Sequence, residues 1–599
     1  MQYSFFDFAT ARTRRFTDGA STNIGACWSA DGSAVAFSSN ARDGTHFDVY
    51  LLAIAHVLQD QPADAHARLI MQNSAPGYFW TTGAATRPDG SSTLLVHHYT
   101  SVSDSALYLV ETSAAHQTHT TKIAPCLAHP AAVGSARLVL ADDGLRVRGV
   151  LYSSNEGSDF LTLRFWDAKE KSSLELCPEA LLPWDVENFA VDSPSGVFVA
   201  AYNVDGCSQL YCGRLASSPP PPAAHAAAGE NAAAAAAPAA GDGGLVQLDV
   251  RTNGVIGSLE LCADACGHQG LVLGYSILAA NAPYDVYTMC LGSYSAHSPH
   301  AGLPHNPPPT RWTESEVGGL NTALLVSPSL VRIKSFDGLV FSSFVYRPRP
   351  PGAGDKRKCG GGEGGEEKAC PVIIHPHGGP EGQHRPRFSP LLQFLVCELG
   401  VCVIDPNVRG SDGYGKEFVN LDNGYKREDS VKDLGALLDW IARDPTLDAS
   451  RVAVWGGSYG GYMVLAALVH YSARLKCGMS MVGISNFVTF LENTADYRRD
   501  LRRVKYGDER EPAMRKFLQD ISPLTNVAKI QRPLFIIQGA NDPRVPLSEA
   551  EQIQKGVQAN GQEVWYMVAA DEGHGFAKKA NVDQYQVALV AFCERFLLS

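Results

Sequence analysis

The sequence lacks the features of a membrane protein or a secreted protein. None of its apolar runs approaches the roughly 20 residues that a membrane-spanning helix requires. Residues 1–7 include an aspartate and contain no apolar core of signal-peptide length. We therefore expect a cytoplasmic protein with no membrane partner. An organelle transit peptide stays open, because residues 10–15 contain arginine and threonine.

Clusters of basic residues are also absent. The chain has 50 basic and 62 acidic residues, a net charge of −12 at pH 7, and its lysines and arginines form no stripe along the sequence. Nucleic-acid binding depends on a basic surface of that kind. The composition therefore predicts no nucleic-acid partner. It does not decide whether the chain forms a homo-oligomer.

A disulfide framework is missing as well. The 14 cysteines follow no regular spacing, which is typical of reduced thiols. Cys262 and Cys266, followed by His268, are an alternative metal site, but no second pair of ligands follows them in sequence. We therefore predict no metal and no cofactor.

The first half of the chain has the pattern of a repeated β-structure. Turn motifs such as Asp-Gly separate apolar, β-branched segments, and their glycines Gly32, Gly90, Gly144 and Gly196 lie 58, 54 and 52 residues apart. Repeats of this length with several strands each are typical of propeller blades. We predict an all-β propeller of six or seven blades over residues 1–330. A pair of packed sheets in a β-sandwich is the alternative.

Two low-complexity segments interrupt the sequence. Residues 217–244 are rich in proline and alanine, and residues 351–368 are rich in glycine with mixed charge. Neither segment contains the apolar residues needed for a packed core. We predict that both are surface loops.

From residue 331 onward, apolar strand segments alternate with helical segments. This alternation predicts a mainly parallel, doubly wound sheet covered on both faces, which makes residues 331–599 an α/β domain. Residues 331–346 read as a hairpin at its start. The predicted strands cover residues 372–374, 401–404, 452–455, 479–482, 534–537 and 564–568, and the predicted helices cover residues 391–399, 431–443, 462–471, 549–559 and 582–598.

The segment 456–460, Gly-Gly-Ser-Tyr-Gly, matches the G-x-S-x-G motif of a nucleophilic serine. An apolar strand precedes it and a helical segment follows it, as the motif requires. Glycines flank the serine because the strand and the helix approach closely at such a turn. The motif therefore predicts that Ser458 is a nucleophile. A glycine-rich turn without chemistry is the alternative.

A serine nucleophile needs a histidine base and an acid that orients the histidine. Asp542 follows the predicted strand at 534–537, and His574 lies between two glycines after the strand at 564–568. The chain order of serine, acid and histidine is the one expected for this type of sheet. We predict a triad of Ser458, Asp542 and His574. Asp571 is the alternative acid, although it adjoins the histidine in sequence.

The tetrahedral intermediate of acyl transfer needs two hydrogen-bond donors. We predict the backbone N–H groups of Tyr459, directly after the nucleophile, and of Gly379, in the His-Gly-Gly-Pro segment after the strand at 372–374. His375 and His377 in the same segment are alternative metal ligands, but the predicted chemistry needs no metal.

The motifs of the second half together resemble the prolyl oligopeptidase family of serine peptidases, and in particular its acylaminoacyl-peptidase branch. The resemblance covers about residues 330–599 and is carried by the segments 377–380, 407–415, 456–463, 538–546 and 571–575. It implies an α/β-hydrolase domain capped by a propeller, and it implies cleavage of short peptides because the cap excludes folded proteins.

The resemblance also implies residues that bind the substrate. Arg544 matches a family arginine that holds a substrate carbonyl or carboxylate, with a surface arginine as the alternative. Phe487, Phe490 and Val545 match positions that line the pocket for the residue before the cleaved bond, with core packing as the alternative. The glutamate pair of the dipeptidyl-peptidase branch has no counterpart, since Glu366 and Glu367 lie in the low-complexity segment.

The sequence therefore predicts a serine peptidase that hydrolyses oligopeptides or N-acylated peptides. A carboxylesterase with the same triad is one alternative, and a non-catalytic propeller scaffold is another. Side-chain preference and the choice between exopeptidase and endopeptidase stay open.

Overall fold

The computed structural model describes most of the chain, namely residues 2–8, 10–57, 66–126, 129–215, 245–250, 253–263, 270–292, 308–349 and 369–599. The two predicted surface loops, 217–244 and 351–368, lie outside these ranges. So do Cys266 and His268 of the alternative metal site.

The N-terminal part is built from small antiparallel sheets in which consecutive strands are neighbours. A two-stranded ribbon comprises β1 (Ser4–Asp7) and β2 (Arg12–Arg15). Five four-stranded sheets follow in the described residues: β3 (Asn23–Trp28), β4 (Ala34–Ser39), β5 (Asp48–Ala53) and β6 (Arg68–Met71); β7 (Tyr78–Thr86), β8 (Ser92–Ser101), β9 (Asp104–Thr112) and β10 (Thr118–Ala124); β11 (Val133–Leu140), β12 (Val147–Ser154), β13 (Thr162–Asp167) and β14 (Ser172–Glu175); β15 (Val186–Val191), β16 (Val197–Val204), β17 (Cys207–Arg214) and β18 (Val246–Leu248); and β19 (Val255–Ala263), β20 (Leu271–Ala279), β21 (Ala282–Gly292) and β22 (Thr310–Arg311).

The predicted turn glycines mark the first hairpin of four of these sheets. Gly32, Gly90, Gly144 and Gly196 each lie between the first and second strands of a sheet, with φ values of 71°, 82°, 67° and 68°. This left-handed conformation favours glycine because a side chain would be strained there. Each repeat seen in the sequence therefore corresponds to one four-stranded sheet. The described residues contain five full sheets and one ribbon, where six or seven blades were predicted.

The five sheets are arranged as successive blades. The first strand of each sheet contacts the first strand of the next, from β3 through β7, β11 and β15 to β19. A separate apolar cluster fills each of the four gaps between neighbouring sheets. A β-sandwich would have one core between two sheets, so the predicted propeller architecture is confirmed.

The C-terminal part contains one eight-stranded sheet with the order β23-β24-β26-β25-β27-β28-β29-β30. The hairpin at its edge is antiparallel, and the strands from β26 to β30 run parallel. All six predicted strands are present. The strands are β23 (Ser329–Lys334), β24 (Val340–Tyr346), β25 (Cys370–Ile374), β26 (Cys402–Pro406), β27 (Leu447–Gly457), β28 (Cys477–Met481), β29 (Leu534–Gly539) and β30 (Val564–Ala569).

Helices cover both faces of this sheet. Apolar residues of α4, α5 and α9 pack on one face, and those of α2 and α10 pack on the other. The described helices are α1 (Ile54–Val57), α2 (Pro390–Cys397), α3 (Lys416–Val419), α4 (Asp429–Arg443), α5 (Tyr459–Tyr471), α6 (Phe487–Asn493), α7 (Asp496–Tyr506), α8 (Pro512–Ile521), α9 (Leu547–Ala559) and α10 (Lys579–Phe596). None of them combines the length and the apolar character needed to cross a bilayer.

Five of these helices match the predicted ones, but the group α6 to α8 was missed. It lies between β28 and β29. The segment of α7 is rich in charged residues, and α6 is only seven residues long. A short helix and a highly charged helix both lack the repeated apolar positions by which a helix is predicted from sequence.

A largely buried ion pair joins the two parts of the chain. The guanidinium of Arg385, in the segment after β25, contacts the carboxylate of Glu187 in β15, with Nη2 3.0 Å from Oε2. Arg385 Nε also donates to the carbonyl of Gly206 at 2.8 Å. Only 8% of the Arg385 side chain is exposed. The propeller is therefore attached directly to a segment that borders the carboxyl ends of the parallel strands.

We predict that Glu187→Ala destabilises the protein by about 2–5 kcal/mol, because it leaves the buried Arg385 charge without its counterion. Calorimetric thermal unfolding measures the change. As a control, Asp439→Ala removes the partner of the exposed Arg474 and should cost about 0–1 kcal/mol. Equal effects of the two substitutions would contradict the structural role of the buried pair.

Candidate active site

Ser458 occupies the sharp turn between β27 and α5. Its φ and ψ are 59° and −120°, an uncommon conformation for a residue other than glycine. A Cβ atom added at Gly456 would lie 2.6 Å from the carbonyl oxygen of Gly460 and 2.9 Å from that of Pro376. The strand and the helix thus approach as closely as the motif predicts. This turn positions the serine hydroxyl at the carboxyl end of the sheet.

A chain of two hydrogen bonds links the three residues of the predicted triad. Ser458 Oγ lies 3.0 Å from His574 Nε2, and His574 Nδ1 lies 2.7 Å from Asp542 Oδ2. The other oxygen of Asp542 accepts from the backbone N–H groups of Arg544 and Val545, at 2.8 and 3.0 Å. The Asp542 side chain is fully buried. Both carboxylate oxygens are therefore held, and the imidazole orientation is fixed.

Two loops meet to form this arrangement, one after β29 and one after β30. The backbone N–H of Asn541 donates to the carbonyl of Glu572 at 2.9 Å. A Cβ atom added at Gly539 would collide with the Gly573 carbonyl oxygen and lie 2.8 Å from that of Glu572. The absence of a side chain at Gly539 lets the aspartate and histidine loops come together.

The alternative acid lies outside the hydrogen-bond chain. Asp571 is exposed, and its carboxylate contacts Lys578 Nζ at 2.5 Å and Asn581 Nδ2 at 3.0 Å. The imidazole of His574 hydrogen-bonds to Asp542 instead. The geometry therefore favours Asp542 as the partner of the histidine.

The residue after Ser458 is anchored in the core. The Tyr459 hydroxyl lies 2.9 Å from Ser430 Oγ and accepts from Arg427 Nη1 at 3.3 Å. Arg427 is itself buried and pairs with Asp422 at 2.5 Å. Tyr459 is the first residue of α5, and the first N–H groups of a helix have no partner within the helix. A fixed backbone N–H at this position can serve as a donor to a reacting oxygen.

The loop after β25 lies on the other side of Ser458. A Cβ atom added at Gly378 would be 3.4 Å from Ser458 Cβ, and Gly379 lines the cavity next to the serine. His377 holds the loop, with Nε2 2.7 Å from Ser411 Oγ and Nδ1 2.9 Å from the Gly378 carbonyl. Both nitrogens of His377 are thus engaged, which argues against the alternative metal pair of His375 and His377.

A small cavity of about 70 Å³ opens at the serine. Three of the four predicted substrate-binding residues, Arg544, Phe490 and Val545, line it, whereas Phe487 does not. The ring of Phe487 is fully buried and packs against Tyr462 and Tyr506, at centroid distances of 4.6 and 5.3 Å. The cavity is lined by Gly379, Ser458, Ile484, Phe490, Thr494, Arg502, Tyr506, Arg544, Val545 and His574.

The sequence reasoning missed Arg502 and Tyr506, which α7 contributes to this cavity. Arg502 Nη1 donates to the carbonyl of Gly379 at 3.1 Å and lies 3.5 Å from Glu381 Oε2. Burial raises the pKa of Tyr506 above its usual range, so the phenol stays neutral. One feature of the sequence does indicate them: α7 follows strand β28, and segments that follow parallel strands surround a site of this kind.

Comparisons with known proteins agree with this architecture. Residues 386–598 match the prolyl oligopeptidase family. Dipeptidyl aminopeptidase BIII of Pseudoxanthomonas mexicana is 34% identical over 271 residues, which cover 45% of this chain and 38% of that protein. Acylamino-acid-releasing enzyme 1 of Oryza sativa subsp. japonica is 27% identical over 216 residues, covering 35% of this chain and 28% of that enzyme. The matched region thus spans less than two fifths of either relative.

Solved structures match over nearly the whole chain. A puromycin-hydrolyzing peptidase of Mycobacterium tuberculosis has a TM-score of 0.74 and 18% identity, covering 99% of this chain and 84% of the other. The acylaminoacyl peptidase of Pyrococcus horikoshii has a TM-score of 0.66 and 17% identity, covering 100% and 85%. The predicted fold class and the resemblance to the prolyl oligopeptidase family are confirmed.

We predict that Gly539→Ala lowers stability by about 1–3 kcal/mol and separates His574 from Ser458, because the new methyl group collides with the histidine loop. Thermal unfolding measures the first effect, and the rate at which a fluorophosphonate labels Ser458 measures the second. Gly573→Ala is the matched control, since its Cβ would lie 3.6 Å from the nearest atom. A Gly539→Ala protein as stable and as reactive as wild type would disprove the steric argument.

Proposed function

We propose that the protein is a serine peptidase that hydrolyses short peptides or N-acylated peptides through Ser458, His574 and Asp542. The observation that carries the proposal is the hydrogen-bond chain from Ser458 Oγ through the His574 imidazole to the buried Asp542 carboxylate. Ser458 and His574 line a cavity that can admit part of a substrate. Relatives of the C-terminal part include a protein named as a dipeptidyl aminopeptidase and another named as an acylamino-acid-releasing enzyme.

In the proposed mechanism, His574 Nε2 takes the proton of Ser458 Oγ as the oxygen attacks the substrate carbonyl. Asp542 stabilises the imidazolium that forms. The oxyanion accepts from the backbone N–H groups of Tyr459 and Gly379. His574 then returns the proton to the leaving amine. Water, deprotonated by the same histidine, hydrolyses the acyl-enzyme and regenerates the serine.

The cavity suggests how the substrate is held. Arg544 is exposed at the cavity and has no ion-pair partner in the described part of the chain, so its guanidinium can bind a substrate carbonyl or carboxylate. Phe490 and Val545 provide an apolar wall beside Ser458 for the residue before the cleaved bond. Phe487 supports this wall from behind through Tyr506.

A second cavity, of about 390 Å³, lies between the propeller and α7. Tyr78 and Tyr99 line it from the propeller side, and Leu501 and Lys505 line it from α7. Arg502 lines both cavities. A substrate that reaches Ser458 from this side must fit between the two parts of the chain. This enclosure supports a preference for short or flexible peptides.

A carboxylesterase is the second candidate, because the same triad attacks esters more readily than amides. A non-catalytic scaffold is disfavoured by the intact hydrogen-bond chain. A cytoplasmic location and the lack of a nucleic-acid partner stay predictions of the sequence, and the oligomeric state stays open.

A fluorophosphonate probe tests the proposed nucleophile. We expect covalent labelling of wild type and none of Ser458→Ala. We expect Asp542→Asn to label about 10³–10⁴-fold more slowly, because the amide favours the wrong histidine tautomer. Mass spectrometry and the time course of labelling measure these effects, and circular dichroism checks the fold. Wild-type protein that is folded and unlabelled would favour the scaffold.

Substrate size tests the role of the propeller. We expect an N-acylated peptide of a few residues to be cleaved, and the same sequence within a stable folded protein to stay intact, because the interdomain cavity excludes the folded chain. Mass spectrometry of the digests measures both. Rapid cleavage of the folded protein would contradict the enclosure, and hydrolysis of esters without any cleavage of peptides would favour the carboxylesterase.

A further inference from the structure

Three potential metal ligands converge at the segment that carries Gly379. They are His375, directly after β25, Asp405 in β26, and His384 in the segment that follows β25. One ligand atom from each residue lies within 4.8 Å of the other two. Parallel pairing of β25 with β26 brings His375 next to Asp405. None of the three belongs to the proposed triad.

Only one of the two imidazoles, that of His375, makes a short hydrogen bond to the Asp405 carboxylate. His375 Nδ1 lies 3.0 Å from Asp405 Oδ1, a normal hydrogen bond. His384 Nδ1 lies 3.5 Å from Asp405 Oδ2, which is too long for a strong one. His384 Nε2 is buried and has no hydrogen-bond partner in the described part of the chain. Buried polar atoms are rarely left without a partner, and neither ring nitrogen of His384 makes a short hydrogen bond to a side chain in the described part of the chain.

The separations within the cluster suit a metal ion. Zinc binds imidazole nitrogen and carboxylate oxygen at about 2.0–2.2 Å, which places neighbouring ligands of a tetrahedral site roughly 3.3 Å apart. The 3.0 Å from His375 Nδ1 to Asp405 Oδ1 and the 3.5 Å from His384 Nδ1 to Asp405 Oδ2 lie on either side of that value, with Nδ1 as the ligand atom of both histidines. Two imidazoles and one carboxylate form a donor set that zinc and other divalent transition metals use.

The surrounding residues hold both imidazoles in place. The His375 ring stacks on Trp455 with a centroid distance of 4.1 Å and an interplanar angle of 12°. The backbone N–H of His384 donates to Asn407 Oδ1 at 2.7 Å, and its carbonyl accepts from Asn407 Nδ2 at 3.0 Å. These contacts fix the His375 ring and the backbone of His384. The His375 side chain is 23% exposed, which gives an ion a route from solvent.

We propose that His375, His384 and Asp405 form a binding site for one divalent transition-metal ion of the zinc class. Two of its ligands bracket the segment 376–383, which carries Gly379, and the third belongs to β26. A bound ion would therefore tie both ends of this segment to the sheet and stabilise it. The proposal does not depend on peptide hydrolysis.

Titration of the full-length protein with Co²⁺ after chelator treatment tests the site. We expect one equivalent to bind and to produce the visible absorption of tetrahedral cobalt. We expect no thiolate charge-transfer band in the near ultraviolet, which separates this site from the 14 cysteines. Asp405→Asn and His384→Gln should each weaken binding at least about tenfold. His470→Gln, which changes a histidine paired with Glu428 elsewhere, should leave binding unchanged.

Thermal unfolding with Zn²⁺ provides a second readout. The unfolding midpoint should rise for wild type and His470→Gln and stay constant for Asp405→Asn and His384→Gln. If a buried variant fails to fold, His375→Gln supplies the same comparison at the more exposed ligand. Wild type that binds no equivalent of cobalt, cobalt bound through thiolates, or undiminished binding by the ligand variants would each overturn the proposal.

Discussion

The hydrogen-bond chain of Asp542, His574 and Ser458 depends on the geometry of a parallel sheet. Parallel strands end at one edge, so loops that are far apart in sequence meet there. The serine turn follows β27, the aspartate loop follows β29 and the histidine loop follows β30. Two backbone N–H groups fix the second oxygen of the aspartate, which holds the carboxylate in place to orient the histidine. The strand order of the sheet thus sets the distances on which the proposed chemistry rests.

The rest of the structure holds this edge rigid. Ser458 keeps an uncommon backbone conformation, which persists only where the surroundings determine it. The buried residues Arg427 and Ser430 bind the side chain of Tyr459 on one side of the turn. On the other side, His377 and Arg502 hold the Gly379 loop, and Arg385 attaches the segment after it to the propeller. The propeller is therefore connected, through Arg385, to the loop that borders the serine.

Much of this could be predicted from the sequence, because the signals were local. Apolar runs identified six of the eight strands of the C-terminal sheet, and the spacing of turn glycines identified four of the five propeller sheets. The G-x-S-x-G turn and the order of Ser458, Asp542 and His574 identified three residues that the structure brings together. The number of blades was harder to predict, because the repeats are degenerate in sequence. Parts of the chain also lie outside the described residues.

What escaped prediction depends on packing. The α7 helix is strongly polar, so no apolar pattern revealed it or its Arg502. Whether Phe487 lines the cavity or lies behind it depends on the placement of Tyr506. His384 and Asp405 are separated by 21 residues, and hydrogen bonds of the His384 backbone with the Asn407 side chain, just after β26, bring them together.

The central claim is that Ser458 becomes covalently acylated with help from His574. The most direct measurement is acid quenching of the protein during turnover of an activated ester of an N-acyl amino acid, followed by peptide mapping. The account predicts one acyl group per chain, on Ser458, and none on the His574→Ala protein. Turnover with the acyl group on another residue, or acylation of Ser458 at the wild-type rate without His574, would contradict it.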